Sequence, residues 1–484
     1  MDPRVMDVIV KRCAGLDVHK EIIVACVRLM DDAGKVRKSV KTFKTMTGDL
    51  RRMRAWMEAQ EVTTVAMEST GVFWKPIFNV LEGHFDLLLC NAGHIKNVPG
   101  RKTDVKDSEW IAQLLQCGLL KGSFVPHRAQ RDLRDLTRHR AQLASEHTRE
   151  ANRIHKVLED ANVKLSAVAS EVLGKSGRAM LWALIEGREN PKQMAEHALG
   201  QLRGKIPQLR EALDGHVTDH HRFLLRTHLE HAEYIERQIA ALTERIETLI
   251  ATGALDPAPS STGDGALLAE AAMPESSDGQ EAGAAQAAPQ REVAPPEPSD
   301  ETGEAPAALE EETPQGPVPF ADAMDFLDEI PGIDRVAAAA ILAEIGANMG
   351  QFPSPQHLAS WAAICPGNNE SAGKHKSGKT RKANRWLKRV LTQAAWAAVH
   401  VKKSYFCAQY HRLARKRGKK RAIIAVAHSI LLTAFHMLSR RQHYRELGAD
   451  FFDRMNPERL KQYHVKRLES LGFNVTLEKA DEAA

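Results

Sequence analysis

The sequence predicts an α/β domain at the N terminus, followed by a long helical arm, an acidic linker and an all-α, strongly basic domain. Three observations carry this. Short apolar runs rich in β-branched residues alternate with amphipathic stretches up to residue 125. Two long stretches beyond it repeat Leu and Ile at three- and four-residue steps. Charge is unevenly divided: residues 365–421 hold 17 Lys/Arg against one acid, Glu370, whereas residues 255–318 hold 14 Asp/Glu against one base, Arg291. The formal net charge of +5 averages over these regions. A concentrated cationic surface points to a polyanion, most commonly nucleic acid.

Strands are expected at 15–18, 22–29, 36–43, 62–67 and 85–90, and helices at 48–59, 72–81 and 105–119. Residues 36–43 alternate charged and apolar side chains, as a half-buried strand does. Three consecutive strands, then helix, strand, helix, strand, helix, match the RNase H-like plan of a mixed sheet flanked by helices, over 12–125. Residues 127–161 contain no Gly or Pro and read as one helix. A second long helix, over 221–250, completes an antiparallel coiled-coil arm spanning 126–251. Ala, Pro, Glu, Gly and Ser dominate 252–318, which reads as a disordered acidic linker, either a plain tether or a DNA mimic that restrains the basic domain. Helical periodicity resumes over 319–450, and 451–484 is read as a tail.

Six cysteines form no CxxC pair and read as buried free thiols. The first residues lack a long apolar segment of signal-peptide type. The most apolar stretch, 422–438, is interrupted by His428, Ser429 and His436, which suits a core helix better than a membrane span. The expectation is a soluble, cytoplasmic, nucleoid-associated bacterial protein with no membrane partner.

Two constellations carry chemistry. Asp17 lies in GLDVHKEIIVACV, inside an apolar strand, where a charge is costly without a partner. Glu68 closes the apolar strand in VAMESTGVFW. Asp104 and Asp107, in RKTDVKDSEWIA, stand three residues apart at a helix start and can share a face. In an RNase H-like sheet the first and fourth strands are neighbours and the last helix crosses them, so the four acids converge. Such like charges repel unless a cation holds them, and Mg²⁺, a hard ion that prefers oxygen, suits the set. Singly, each acid reads as a strand-end carboxylate or a helix-dipole partner. Their conjunction favours the metal.

The second constellation is CPGNNESAGKHKSGKTRKANRWLKRVL. Two roles fit Ser371: a phosphate contact in a solvated loop, or a nucleophile toward a DNA phosphate. A serine hydroxyl needs activation, and nothing nearby in sequence supplies it. Ser377 and Ser404 rank behind it. Lys374, Lys376, Lys379, Arg381, Lys382 and Arg385 follow as backbone-gripping candidates, with Arg417, Lys419, Lys420 and Arg421 from the run ARKRGKKR. Upstream, EIPGIDRVAAAAILAEIG reads as a helix-hairpin-helix-like unit. There the turn at Gly332 offers backbone N–H groups to phosphate, or is an ordinary tight turn between core helices.

GLDVHKE, AMESTGVFW and KTDVKDSEWIAQLL resemble the three blocks of the DEDD transposases of the insertion sequence 110 family. SGRAMLWALIEG, TDHHRFLL, IPGIDRVAAAAILAEIG, the Ser371 segment and KKRAIIAVAHSIL resemble its middle and C-terminal blocks in the same order. The resemblance implies a recombinase that cuts and rejoins donor and target double-stranded DNA, guided by a structured bridge RNA. It also implies a Holliday-junction-resolvase-like (RuvC-like) domain with Asp17, Glu68, Asp104 and Asp107 as its Mg²⁺ ligands, and Ser371 as a nucleophile forming a transient phosphoserine link. A composite site shared between subunits would make it a homo-oligomer, dimer or tetramer. The long acidic linker departs from the pattern and puts the inter-domain spacing in question. Two rivals remain: a metal-dependent Holliday-junction-type endonuclease using water, and a non-catalytic nucleic-acid-binding protein.

Overall fold

The computed structural model describes residues 8–69, 71–97, 107–256, 318–365, 369–371, 374–377, 380, 384–455 and 457–477, with the side chains of 94, 96, 97, 369–371, 374–377 and 459 excepted. It divides into two compact units. One takes in the described residues of Met1–Pro126 and Gly350–Gly367, the other those of His127–Ala258, Gln315–Met349 and Asn368–Ala484.

The first unit opens with an antiparallel meander, β1 (Arg12–Val18), β2 (Ile22–Met30) and β3 (Val36–Lys44). Helix α1 (Thr47–Glu58), β4 (Thr64–Glu68), α2 (Trp74–Leu81), β5 (Asp86–Cys90), α3 (Ala92–Asn97) and α4 (Asp107–Gln116) follow. The sheet order is β3-β2-β1-β4-β5, with β1–β4 and β4–β5 parallel. The first and fourth strands are therefore neighbours, as expected, and α4 packs across β1, β2 and β4. Strand alternation sorts the side chains between two layers. Ala14, Leu16, Val65 and Met67 face Met53, Met57, Ile77 and Leu81 of α1 and α2. Cys13, Ala66 and Cys90 face Trp110, Ile111, Leu114 and Leu115 of α4. The α4 layer is thus the side that also receives Gly15, Asp17 and Glu68.

In the second unit, α5 (Arg128–Asp160) and α10 (Asp219–Ala251), each of 33 residues, lie along one another as the expected arm. Their seam carries His–carboxylate pairs: His147–Glu236 at 2.7 Å, His228–Glu150 at 2.9 Å and His221–Asp160 at 2.9 Å. Between them α6 (Leu165–Val168), α7 (Lys175–Glu186), α8 (Pro191–Ala195) and α9 (Ile206–Ala212) close a small core around Met180, Leu181, Leu209 and Leu225. The chain leaves this unit just after Leu255 and rejoins it at Val318, both buried. There Phe320 N donates to Asp256 Oδ1 at 2.8 Å. The exit and the return are therefore clasped together.

Helices α11 (Phe320–Asp328) and α12 (Arg335–Ile345) flank the Pro331-Gly332 turn, and α13 (Pro355–Trp361) clusters with the first unit, where Phe124, Phe352 and Trp361 pack ring on ring. Then come β6 (Asn369–Ser371), β7 (Lys374–Ser377), α14 (Arg385–Ala398), α15 (Tyr405–Arg417), α16 (Lys419–Arg440), α17 (Phe451–Met455) and α18 (Pro457–Glu469). Two expectations need correction. The C-terminal region is not all-α: β6 and β7 pair antiparallel, from Asn369↔Ser377 to Ser371↔Lys374. Neither strand contains a β-branched or aromatic residue, so propensity gave no strand signal. The tail after 450 also forms two helices. Helix α16 is, among the described residues, the one helix long and apolar enough to cross a membrane, and its most apolar window is 67 % buried in the fold.

Candidate active site

The parallel pairing of β1 with β4 runs from Cys13↔Thr64 to Leu16↔Met67, so Asp17 and Glu68 occupy the next step of the same register. Register partners in a parallel pair project to one face, about 4.8 Å apart between strands. Both are half-buried at the strand ends. Asp17 Oδ2 lies 3.1 Å from His19 Nε2, an exposed partner that the sequence reading passed over.

The position of α4 bears on where Asp107 lies. Cys13 Sγ sits 3.6 Å from Ala112 O. A Cβ on Gly15 would lie 2.3 Å from Ala112 N and 2.6 Å from Ser108 O. Cys13 meets Ala112 and Gly15 meets both Ala112 and Ser108, so toward Asp17 the strand reaches earlier residues of α4. The helix runs antiparallel to the strand, and its first residue, Asp107, stands at the strand end that carries Asp17. Glycine is required at 15 because strand and helix touch backbone to backbone. Asp104 lies outside the described residues. Among the described residues no group of three His, Cys, Asp or Glu is close enough to hold a metal ion. The donors that share this end are hard oxygens, the set that suits a hard divalent cation rather than a soft one. In the same layer, burial pushes the Cys13 and Cys90 thiols up to about 12, and that of Cys26 to about 11.

In the second unit, a buried carboxylate organises the root of the basic segment. Glu344 accepts from Arg138 Nε and Nη2 at 2.7 and 2.8 Å, and from Asn384 Nδ2 at 2.6 Å. Arg134 and Gln130 of α5 donate to the carbonyls of Leu342, Ala343 and Glu344 at the end of α12. Asn384 in turn accepts from the N–H groups of Trp386 and Leu387, capping α14. One carboxylate thus ties α5, α12 and α14 at the point where the chain leaves the Ser371 segment.

Ser371, Lys374 and Lys376 fall on β6 and β7, but their side chains, with Lys379, Arg381 and Lys382 as a whole, lie outside the described residues. Arg385 is exposed at the start of α14. Arg417 closes α15, and Lys419, Lys420 and Arg421 open α16 across Gly418, all exposed. Three cations in the first turn of a 22-residue helix oppose its dipole, an arrangement that favours a bound anion. Gly332 (φ +87) is needed for packing: a Cβ there would lie 2.4 Å from Ala394 O and Ala398 N of α14. Its turn serves the core, whatever its N–H groups contact.

Carboxylates at one end of a mixed sheet in the first unit, and exposed cations in the second, are features suited to work on nucleic acid. A model for DEDD transposases of the IS110 type, described as "Transposase", matches residues 14–163. A second, described as "Transposase IS116/IS110/IS902 family", matches residues 324–411. The chain belongs to the IS110 family of transposases, and it is a DNA transposase or recombinase. No curated protein matches it. The first match spans the sheet unit and α5, and the second runs from α11 into α15 through the Ser371 segment. The SGRAMLWALIEG, TDHHRFLL and KKRAIIAVAHSIL blocks lie outside both. A DEDD domain implies dependence on a divalent metal.

Proposed function

We propose that the chain cuts and rejoins DNA strands at a Mg²⁺ site of RNase H-like (RuvC-like) type, formed by Asp17, Glu68, Asp104 and Asp107, with Ser371 as nucleophile. The observation that carries this reading is the coincidence of Asp17, Glu68 and the start of α4 at one end of the sheet, on one face. Bound Mg²⁺ would supply charge neutralisation for a phosphodiester at the moment of transfer. The protein's own part is to hold the acids ionised and convergent, and to bring the serine hydroxyl in line. In the transfer, Ser371 Oγ forms a bond to phosphorus as the bond from phosphorus to one sugar oxygen breaks. The serine proton leaves, and the departing sugar oxygen takes up a proton. Rejoining reverses these changes with a different strand end, so no external energy source is needed.

Ser371 belongs to the second unit and the carboxylates to the first, and a composite site contributed by two copies of the chain would unite them. The guide is a structured RNA, and the arm of α5 and α10, with the exposed cations of α14 to α16, is the surface that serves it and the DNA. The test is covalent trapping on supercoiled DNA with Mg²⁺ and guide RNA. Wild-type protein yields a protein–DNA adduct, Asp104→Asn and Ser371→Ala yield none. Normal cleavage by Ser371→Ala would instead mark a junction endonuclease with water as nucleophile.

A further inference from the structure

Alongside the arm, α5 and α14 enclose a cleft of about 550 Å³ that the proposed chemistry does not use. Gln142, Ser145 and Arg149 line it from α5, and Arg385, Trp386 and Arg389 from α14. Glu146 is the single acid among the described residues of its wall, 3.4 Å from Arg149. Trp386 is only half-buried, with two guanidiniums near its ring: Arg385 lies 4.8 Å from the centroid and Arg138 6.0 Å. A tryptophan whose role was only to pack α14 against α5 would be flanked by aliphatic side chains. Here it is flanked by cations, one of them exposed and able to swing away. Arg389 is exposed but pre-positioned, since its Nη1 donates to Ser145 Oγ at 2.9 Å and to Ala141 O at 3.4 Å.

An indole face beside several guanidiniums matches one class of ligand. Bases stack on aromatic rings irrespective of sequence, and guanidiniums take phosphate oxygens in paired hydrogen bonds. We infer that this cleft captures an unpaired nucleotide of a nucleic-acid strand. Its base displaces Arg385 from the Trp386 ring, while Arg385, Arg389 and Arg149 receive the adjoining phosphates. A duplex keeps its bases stacked inside and cannot present one to the ring, so the cleft selects for single-stranded or flipped-out positions. The inference rests on the chain's handling of nucleic acid, but not on Ser371 or on the metal.

The test is equilibrium binding of full-length protein, without divalent metal, to labelled oligothymidylate, oligouridylate and a blunt duplex. Trp386→Ala is expected to weaken binding to at least one of the single strands about tenfold or more and to leave duplex binding unchanged, with Trp386→Phe restoring most of the loss. Which single strand responds assigns the ligand as DNA or RNA. Arg389→Gln and Arg385→Gln, at exposed positions, should each lower the salt dependence of single-strand binding by somewhat less than one unit of log–log slope, and they give the reading if Trp386→Ala fails to fold. Equal losses on single strand and duplex, no loss on either, an alanine-like phenylalanine variant or an unchanged salt slope would each overturn the inference. Because no cleavage is measured, such a failure would leave the proposed strand chemistry untouched.

Discussion

Gly15 of β1 and Ala112 of α4 meet backbone to backbone, so closely that a methyl group on Gly15 would fall 2.3 Å from the Ala112 nitrogen. This contact sets the height of α4 above the sheet, and therefore how near Asp107 comes to Asp17. Backbone on both sides of the contact leaves nothing flexible to yield. Gly15→Ala should destabilise the first unit by about 1–3 kcal/mol through overpacking. Strand cleavage should fall further than the lost folded fraction explains, because α4 lifts away from the carboxylates. Thermal unfolding and cleavage rate, measured on the same preparations, separate the two effects.

Glu344 is 2 % exposed and holds two guanidiniums and an amide. Removing it strands largely buried cations, so Glu344→Ala should cost about 3–5 kcal/mol in denaturant unfolding. Glu344→Gln, which keeps an acceptor for Asn384 but not the charge, should cost less. Equal costs for the two would show that the charge carries the interaction and the retained acceptor adds nothing.

The hydrogen bond from Phe320 N to Asp256 Oδ1 clasps the chain where the acidic segment leaves and returns. Loop closure depends only weakly on length, so the segment between need not have its natural 63 residues. Replacing 259–315 with a short Gly/Ser linker should leave the melting temperature within a few degrees of the parent. Asp256→Ala in the same background should lower stability by about 1 kcal/mol.

Burial holds the imidazoles of His428 and His436, on α16, below the usual histidine value of 6.5. The unfolded chain takes up these protons near pH 6.5, whereas the folded chain does so only lower. The stability they allow is therefore present above about pH 6.5 and is lost as the pH falls through the folded values. Unfolding followed between pH 7.5 and 5 should show stability falling with pH. His428→Leu should flatten that slope.

Much of the first unit was legible because its signals are local. Apolar alternation marked the five strands within two or three residues, and strand order followed from the sequence of elements. Asp17 and Glu68 stood out as charges at the ends of apolar strands, and the register of β1 with β4 brings them level. His19 was passed over because an exposed histidine two residues from an acid looks like ordinary surface until the strand end is seen. The β6–β7 ribbon was missed because Asn369–Ser371 and Lys374–Ser377 carry no strand-forming side chains. Trp386 and Arg389 were hidden in a different way. Their partners on α5 lie more than 230 residues earlier, a relationship that no spacing rule detects. Gly332 shows the opposite case: the turn was visible, but only the approach of Ala394 and Ala398 shows why glycine is needed there.

The most direct measurement is Mn²⁺ binding to the full-length chain, followed by electron paramagnetic resonance, for the wild type, Asp17→Asn, Glu68→Gln and Ser371→Ala. Saturable binding in the wild type and in Ser371→Ala, weakened about 100-fold or more in both carboxylate variants with their fold intact, is the predicted result, since even outer partners of a metal contribute about 10- to 100-fold. Undiminished Mn²⁺ binding in Asp17→Asn and Glu68→Gln would contradict the account, because the acids brought level by β1 and β4 would then hold no metal.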